Sequence, residues 1–343
     1  MRVLVTGHEG YIGGLLVPLL QQAGYDVVGC DVGFFRSCTF NHPPVDIANL
    51  SMDVRDLAQA DLSRFDAVIH LAGLSNDPLG QFDPHLTTEI NEQASIALAE
   101  RARSQGVQRF LFASSCSNYG ASTGALLDES APFNPQTEYG VSKVNAEQAI
   151  SALGSDQFCV THLRAGTVYG VAPRMRFDLV VNNLMAYAMD SGKIVLKSDG
   201  SAWRPLVHAE DVARAYVAIL QAPVNQVMGE AFNVGRNEDN VQIKTVAQMI
   251  QAALPGTPIE MQPNAPTDTR NYRVNCDKLV QYVSGYRPRW TLTKGIEQLK
   301  AALSQQPISV ADFEGARFSR LAHLRHRIDE GDVSLDLRCV KVQ

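Results

Sequence analysis

Tyr139 and Lys143 stand four residues apart in Tyr139-Gly140-Val141-Ser142-Lys143, so on a helix their side chains share a face. An ammonium beside a phenol favours the phenolate. A phenol with an ordinary pKa near 10 must fall by about 3 units, or ~4 kcal/mol, to exchange protons at neutral pH. Ser115 adds a hydroxyl able to orient a reacting oxygen. Such a set moves a proton. A tyrosine and a lysine four apart are, on their own, more often an exposed helical pair, so the weight rests on what accompanies them.

The chain carries Thr6-Gly7-His8-Glu9-Gly10-Tyr11-Ile12-Gly13 near its start. Gly7, Gly10 and Gly13 follow a short apolar run and open an amphipathic stretch, the context in which a glycine pattern becomes informative. Without side chains the backbone can turn tightly, approach a pyrophosphate and aim helix N-terminal amides at it. The spacing differs by one residue from the commonest dinucleotide fingerprint, and a tight turn in any α/β protein is the bland alternative. Asp31 weakens that alternative. It falls close to 20 residues beyond the glycines at the end of a predicted strand, where a carboxylate accepts hydrogen bonds from the adenosine ribose. The same charge repels a 2′-phosphate, which favours NAD over NADP, although Arg36 nearby pulls the other way.

These groups need a scaffold, and the hydrophobic pattern supplies one. Strands are expected over 2–6, 25–31, 51–54, 67–72, 109–114 and 158–164. Helices are expected after the glycines, with Pro18 as a local kink, and over 84–105 and 139–153. Strands alternating with helices at this spacing indicate βα units around a parallel sheet. After residue 169 the pattern changes to loop at 170–177, helix at 178–189, strand at 194–197 and a helix around Val212 to Ile219. A strand at 232–234 is expected to return to the first sheet, followed by helices over 244–254, 277–283 and 293–303. The fold class is therefore α/β, a Rossmann-type doubly wound parallel sheet with a smaller, sequence-interleaved α/β lobe for substrate. The expected boundaries are 1–170 with 206–236 for the dinucleotide domain, 171–205 with 237–306 for the second lobe, and 307–343 for a helical extension. In that extension Leu321, Leu324 and Ile328 lie on one helical face among arginines. Docking against the body or a second subunit is preferred there over contact with a ligand.

At 343 residues the chain can bury a large core. Its hydrophobic fraction of 45%, charged fraction of 19% and net charge of −6 give no basic footprint, which argues against nucleic acid or an anionic membrane as partner. No apolar run approaches the roughly 18 to 20 residues of a membrane span, and none at the start matches a signal peptide, so a cytoplasmic location is expected. The six cysteines show no paired spacing and the eight histidines are scattered, which predicts free thiols and no metal.

Taken together, Thr6 to Gly13, Asp31, Asp53-Val54, Leu71-Ala72-Gly73, Asn91, Ser114-Ser115-Cys116-Ser117-Asn118-Tyr119-Gly120 and Tyr139 to Lys143 resemble the extended short-chain dehydrogenase/reductases. More narrowly, they resemble the NAD-dependent epimerase/dehydratase group acting on nucleotide sugars, over roughly residues 1 to 300. The resemblance implies that Asp53 and Val54 contact the adenine, that Leu71, Ala72 and Gly73 line the cofactor cleft, and that Asn91 stands near the active site. It makes Ser115 the catalytic hydroxyl, Tyr139 the general acid/base and Lys143 its helper, which also holds the nicotinamide ribose. Trp203-Arg204-Pro205-Leu206-Val207-His208 followed by Asp211 matches the family's arginine-bearing strand, with Arg204 on the nucleotide diphosphate. Arg174, Arg176, Arg270 and Arg273 are weaker candidates, as apt to be solvated charge. A homodimer through the helices at 84–105 and 139–153 is implied by the resemblance alone.

Three departures narrow the chemistry. The family's 4,6-dehydratases carry Asp-Glu after the catalytic residue, where this chain has Cys116-Ser117. Its 3,5-epimerases carry a cysteine where this chain has Ser117; Cys116 is displaced by one and reads as a small buried residue. Arg164-Ala165-Gly166-Thr167 lacks the common asparagine, leaving Asn182 and Asn183 as alternative phosphate donors. The expected activity is an NAD-dependent nucleotide-sugar epimerase acting through a transient 4-keto sugar. A nucleotide-sugar 4-dehydrogenase or ketoreductase, and a non-catalytic NAD-sensing regulator, stand as alternatives.

Overall fold

The structure is a computed structural model that describes residues 1–340 apart from 264, 266, 267 and 269, with residues 123 and 125 described by their backbone alone. Strands β1 (Arg2–Thr6), β2 (Asp26–Cys30), β3 (Ala67–His70), β4 (Arg109–Ser115), β5 (Cys159–Ala165) and β6 (Glu230–Val234) form one sheet in the order β6-β5-β4-β3-β1-β2. Every pairing in it is parallel. Alternate residues of β1 enter different cores. Val3 and Val5 pack with helices Gly13–Gln22 and Ala209–Gln221 on one face, and Leu4 with Ala94–Ser104 and Glu138–Ser151 on the other. A strand buried on both faces is what the unbroken apolar runs require. The strand order changes direction between β1 and β3, and such a switch point opens a crevice at the carboxyl ends of the strands.

The smaller lobe packs helices Val180–Ser191, Ile243–Ala253 and Leu292–Gln305 into a separate core. Short strands support it: Ile194–Leu196 pairs with Ile259–Met261, and Trp203–His208 lies between Thr167–Tyr169 and Asn240–Gln242. Because β6 pairs with β5 after this excursion, the lobes are interleaved in sequence as expected.

Two expected elements differ. The strand at 51–54 does not form; a single bridge between Gly29 and Asn49 lies just before it. Ser51 turns into the left-handed region at φ 50°, and Asp53 caps a 3₁₀ helix Val54–Gln59 by accepting from the Arg55 amide at 2.9 Å. The helix over 84–105 contains a π-helical turn, Thr88–Gln93, between α-helical Pro84–Thr87 and Ala94–Ser104. Pro18 is carried inside the Gly13–Gln22 helix. After residue 307, helix Val310–Glu314 puts Phe313 into the small-lobe core, and helix Arg320–Asp329 puts Leu324 into the core of the main sheet. Among the described residues no helix is long and apolar enough to cross a membrane.

Candidate active site

A cleft of about 990 Å³ runs along the switch point between the lobes. Gly7, Gly10, Tyr11, Ile12, Gly13, Asp31, Asp53, Val54, Leu71, Ala72 and Gly73 line one end. Ser115, Tyr139 and Lys143 line the middle, and Arg204 and Arg270 the far side. Asn91 and Asn182 are not in its lining; both are completely buried.

At the first end the glycines are needed for closeness. Gly7 has φ 71°, and a Cβ there would sit 2.8 Å from the Ala72 nitrogen. A Cβ on Gly13 would collide with the backbone of Gly7 and His8, so a side chain would push the helix off the strand end. The Tyr11 hydroxyl donates to the Gly170 carbonyl at 2.5 Å, fastening the loop to the second lobe. Asp31 accepts from the amides of Gly33 at 2.8 Å and Glu9 at 3.2 Å. Burial pushes its carboxyl up, the Gly33 amide opposes this and the Glu9 charge adds to it. Arg36 forks onto Glu9 at 2.8 and 2.9 Å, and its charge also interacts with Asp31. The glycine cradle with the Asp31 carboxylate at the strand end fits a dinucleotide whose adenosine ribose is unphosphorylated.

Asn91 acts from behind the wall. Its Oδ1 accepts from the Leu74 amide at 2.7 Å and its Nδ2 donates to the Leu74 carbonyl at 3.0 Å, which fixes the loop after Gly73. The π turn around it carries one extra residue per turn.

In the middle, Ser115 ends β4 and caps the 3₁₀ turn Cys116–Tyr119, accepting from the Ser117 amide at 3.1 Å and the Ser117 hydroxyl at 2.8 Å. Tyr139 lies in the first turn of helix Glu138–Ser151, capped by Thr137, which accepts from the Gly140 amide at 3.2 Å. Burial raises the Tyr139 phenol, while a hydrogen bond with Ser115 and the Arg176 charge lower it and Asp77 raises it again. The Lys143 ammonium donates to the Ala113 carbonyl at 2.9 Å and lies 6.0 Å from the Tyr139 ring centroid. Burial pulls it down to about 8, with Glu147 opposing. The Arg176 charge adds to the cations around the phenol, and Lys143 stands at the Tyr139 ring as the one-turn spacing suggests. Cys116 is completely buried and its thiol donates to the Arg164 carbonyl at 3.1 Å. Burial pushes it far up, which leaves no thiolate for acid/base work.

On the far side Arg204 donates to the Trp203 carbonyl at 2.8 Å, to the Arg270 carbonyl, and to Asp268 at 2.5 Å. Arg270 forks onto Asp268 at 3.1 and 3.0 Å and pairs with Asp77. Arg174 and Arg176 are buried rather than solvated; Arg176 forks onto Asp178 at 3.1 and 2.6 Å. Arg273 lies 5.0 Å over the Trp203 ring. Asn182 accepts from the Gly170 amide at 2.9 Å and donates to the Tyr11 hydroxyl at 3.1 Å and the Arg176 carbonyl at 2.8 Å. Its amide is used up inside the fold, and its neighbour Asn183 lines the cleft instead. No motif points to Glu314, which also lines the cleft and pairs with Lys197 at 2.8 Å. Arg320 and Leu321 line it too; a basic, amphipathic terminal helix is their only trace in the sequence. Among the described residues no group of three or more metal-ligating side chains occurs.

Known proteins resemble this chain in sequence and fold. The chain is 30% identical over 262 residues to the uncharacterized UDP-glucose epimerase YtcB of Bacillus subtilis, covering 72% of this chain and 80% of that one. The UDP-glucose 4-epimerase of Thermus thermophilus, solved with NAD, is 26% identical with a TM-score of 0.73, over 88% of this chain and 100% of that one. The UDP-glucuronic acid 4-epimerase of Bacillus cereus, solved with UDP-glucuronic acid and NAD, is 25% identical with a TM-score of 0.75, over 89% of this chain and 99% of that one. NAD is the cofactor that the glycine cradle and Asp31 fit. Residues 3–235 match the model of the NAD dependent epimerase/dehydratase family, and the chain belongs to that family.

Proposed function

We propose that this protein is an epimerase that oxidises a nucleotide sugar at C4 and reduces the resulting ketone on its other face. The observation that supports this most is that Ser115, Tyr139 and Lys143 share one cleft with the glycine cradle and with Arg204 and Arg270. Ser115 orients the sugar hydroxyl, and Tyr139 takes its proton as the C–H bond at the same carbon releases a hydride. NAD, when bound, supplies the hydride acceptor. Lys143 holds the nicotinamide ribose, and the Arg176 charge opposes the rise that burial imposes on the phenol. Arg204 and Arg270 receive the diphosphate, since planar guanidinium donors meet phosphate oxygens in pairs. The absence of an acid/base pair at Cys116-Ser117 argues against elimination of water.

UDP-sugars are the first substrates to test, because the matched Bacillus cereus enzyme was solved with UDP-glucuronic acid. Incubating the purified protein with UDP-glucose and UDP-glucuronic acid is expected to yield the C4 epimer, detected by NMR, without accumulation of NADH. Stoichiometric release of NADH and a free keto sugar would replace epimerisation with dehydrogenation. A homodimer through the helices at 84–105 and 139–153 belongs to the same reading and is checked by sedimentation.

A further inference from the structure

Two residues oppose each other at the adenosine end of the cleft. A 2′-phosphate would meet Asp31 as a like charge and Arg36 as a partner. Glu9 touches both. It lies in the glycine loop between Gly7 and Gly10, and its amide donates to Asp31 at 3.2 Å. Its carboxylate takes the Arg36 guanidinium in a fork, from Nε at 2.8 Å and Nη2 at 2.9 Å, and the Arg174 guanidinium stands 4.0 Å from the same carboxylate. The fork draws Arg36 across Gly33, where a Cβ would sit 2.6 Å from the Arg36 Nε. The Gly33 amide is the other donor to Asp31, at 2.8 Å. The guanidinium therefore lies beside the Asp31 carboxylate and its charge acts there, while its donors go to Glu9.

The cations behind this end are fixed. Arg55 forks onto Asp53 at 2.9 and 2.7 Å and donates to the carbonyls of Asp336 at 2.9 Å and Leu337 at 2.8 Å. Arg338 pairs with Asp56 at 2.6 Å. Arg327 donates to the Phe34 carbonyl at 3.1 Å and so pins the loop between Asp31 and Arg36. Arg174 and Arg320 are buried. The Arg36 side chain, by contrast, is 42% exposed, and a surface ion pair of this kind holds it only weakly. A 2′-phosphate would have to draw Arg36 off Glu9 and then sit against two carboxylates, those of Glu9 and Asp31, with one cation between them. An unphosphorylated ribose leaves every one of these pairs in place.

We propose that Glu9 is a second determinant of cofactor selectivity: by holding Arg36 it withholds from a 2′-phosphate the cation that would bind it, and its own charge stands with Asp31 against that phosphate. NAD enters with the pair intact, and NADP is disfavoured at Glu9 as well as at Asp31. Selectivity then lies in the glycine loop as much as at the end of β2. The proposal concerns the cofactor and is independent of epimerisation.

The test uses the full chain stripped of nucleotide, with NAD affinity measured by calorimetry, NADP affinity by displacement of NAD, and the Tm of each variant. Glu9→Ala keeps the amide that holds Asp31 and removes the carboxylate. It should raise NADP affinity about tenfold and leave NAD affinity within about twofold. Arg36→Gln alone should leave NADP affinity within about twofold, because Glu9 already withholds that cation. Combined with Glu9→Ala it should cancel most of the gain, the non-additivity expected of two groups in one network. Glu9→Gln keeps an acceptor for the buried Arg174 and should shift selectivity the same way by about threefold; it carries the test if Glu9→Ala melts markedly lower. NADP affinity within about twofold of wild type in both Glu9 variants would overturn the proposal. A gain that persists undiminished in the double variant would overturn it too, as would a loss of about tenfold in NADP affinity for Arg36→Gln alone, which would mean that Arg36 already serves the phosphate.

Discussion

At the cofactor end of the cleft the inward-facing groups are glycine backbone and a carboxylate held by two amides, whereas at the far end they are arginines already paired with carboxylates. Asp31 and the cradle need no rearrangement to accept a ligand. Arg204, Asp268, Arg270 and Asp77 form a continuous chain of ion pairs, and Arg176 pairs with Asp178. A diphosphate entering there must compete with Asp268 for the same donors. Preorganisation thus favours the cofactor, and substrate binding is coupled to opening a salt-bridge network.

Four variants probe that contrast. Tyr139→Phe stands between the two ends and should lower kcat about 10³-fold while NAD content, measured after denaturation, is unchanged; surviving turnover would remove the proton-transfer role. Arg204→Gln should raise KM for the nucleotide sugar about 100-fold and leave NAD affinity alone, so a parallel loss of NAD would erase the distinction between the ends. Lys143→Met tests the buried charge. Its ammonium, ordinarily near 10.5, is depressed to about 8. Below pH 8 the folded state therefore holds a charge it disfavours, and this penalty disappears as pH climbs from about 8 towards 10.5. At pH 7 the variant should gain about 2 kcal/mol in stripped-protein stability, a gain that vanishes near pH 10 in denaturant titrations; an equal gain at both pH values would point to packing instead. Asp268→Asn should have the smallest effect, lowering KM about threefold by releasing Arg204; a higher KM would make Asp268 a positioning residue that the far end needs.

The two ends are unequally legible in the sequence for the same physical reason. Glycines at 7, 10 and 13 and the carboxylate at 31 act through backbone and a strand end, and local spacing fixes both. The far end is assembled from residues 77, 204, 268 and 270, which meet only through tertiary packing. Asn182 and Asn183 illustrate the limit: adjacent on one helix, one faces the core and the other the cleft, a difference set by the entry angle of Val180–Ser191. The strand expected at 51–54 does not form because a left-handed Ser51 and the Asp53 cap outweigh the apolar Met52 and Val54. The tyrosine–lysine spacing is sound as helix geometry, yet Lys143 bends toward Ala113, a partner 30 residues earlier.

The hydrogen bonds from Arg55 to Leu337 and from Arg327 to Phe34 span 282 and 293 residues of chain. Loop closures of that length come late in folding. On the ribosome, the first glycine loop can meet β2 and β3 once the chain has grown past His70 at the end of β3, but its outer border waits for residues 320–338. A nascent chain released early would present an open nucleotide groove and an uncovered patch around Val28 and Leu57, where Leu324, Val333 and Leu337 pack in the finished protein. Such a chain is a natural client for chaperones and proteases, so premature termination should be seen as lost abundance before it is seen as lost activity.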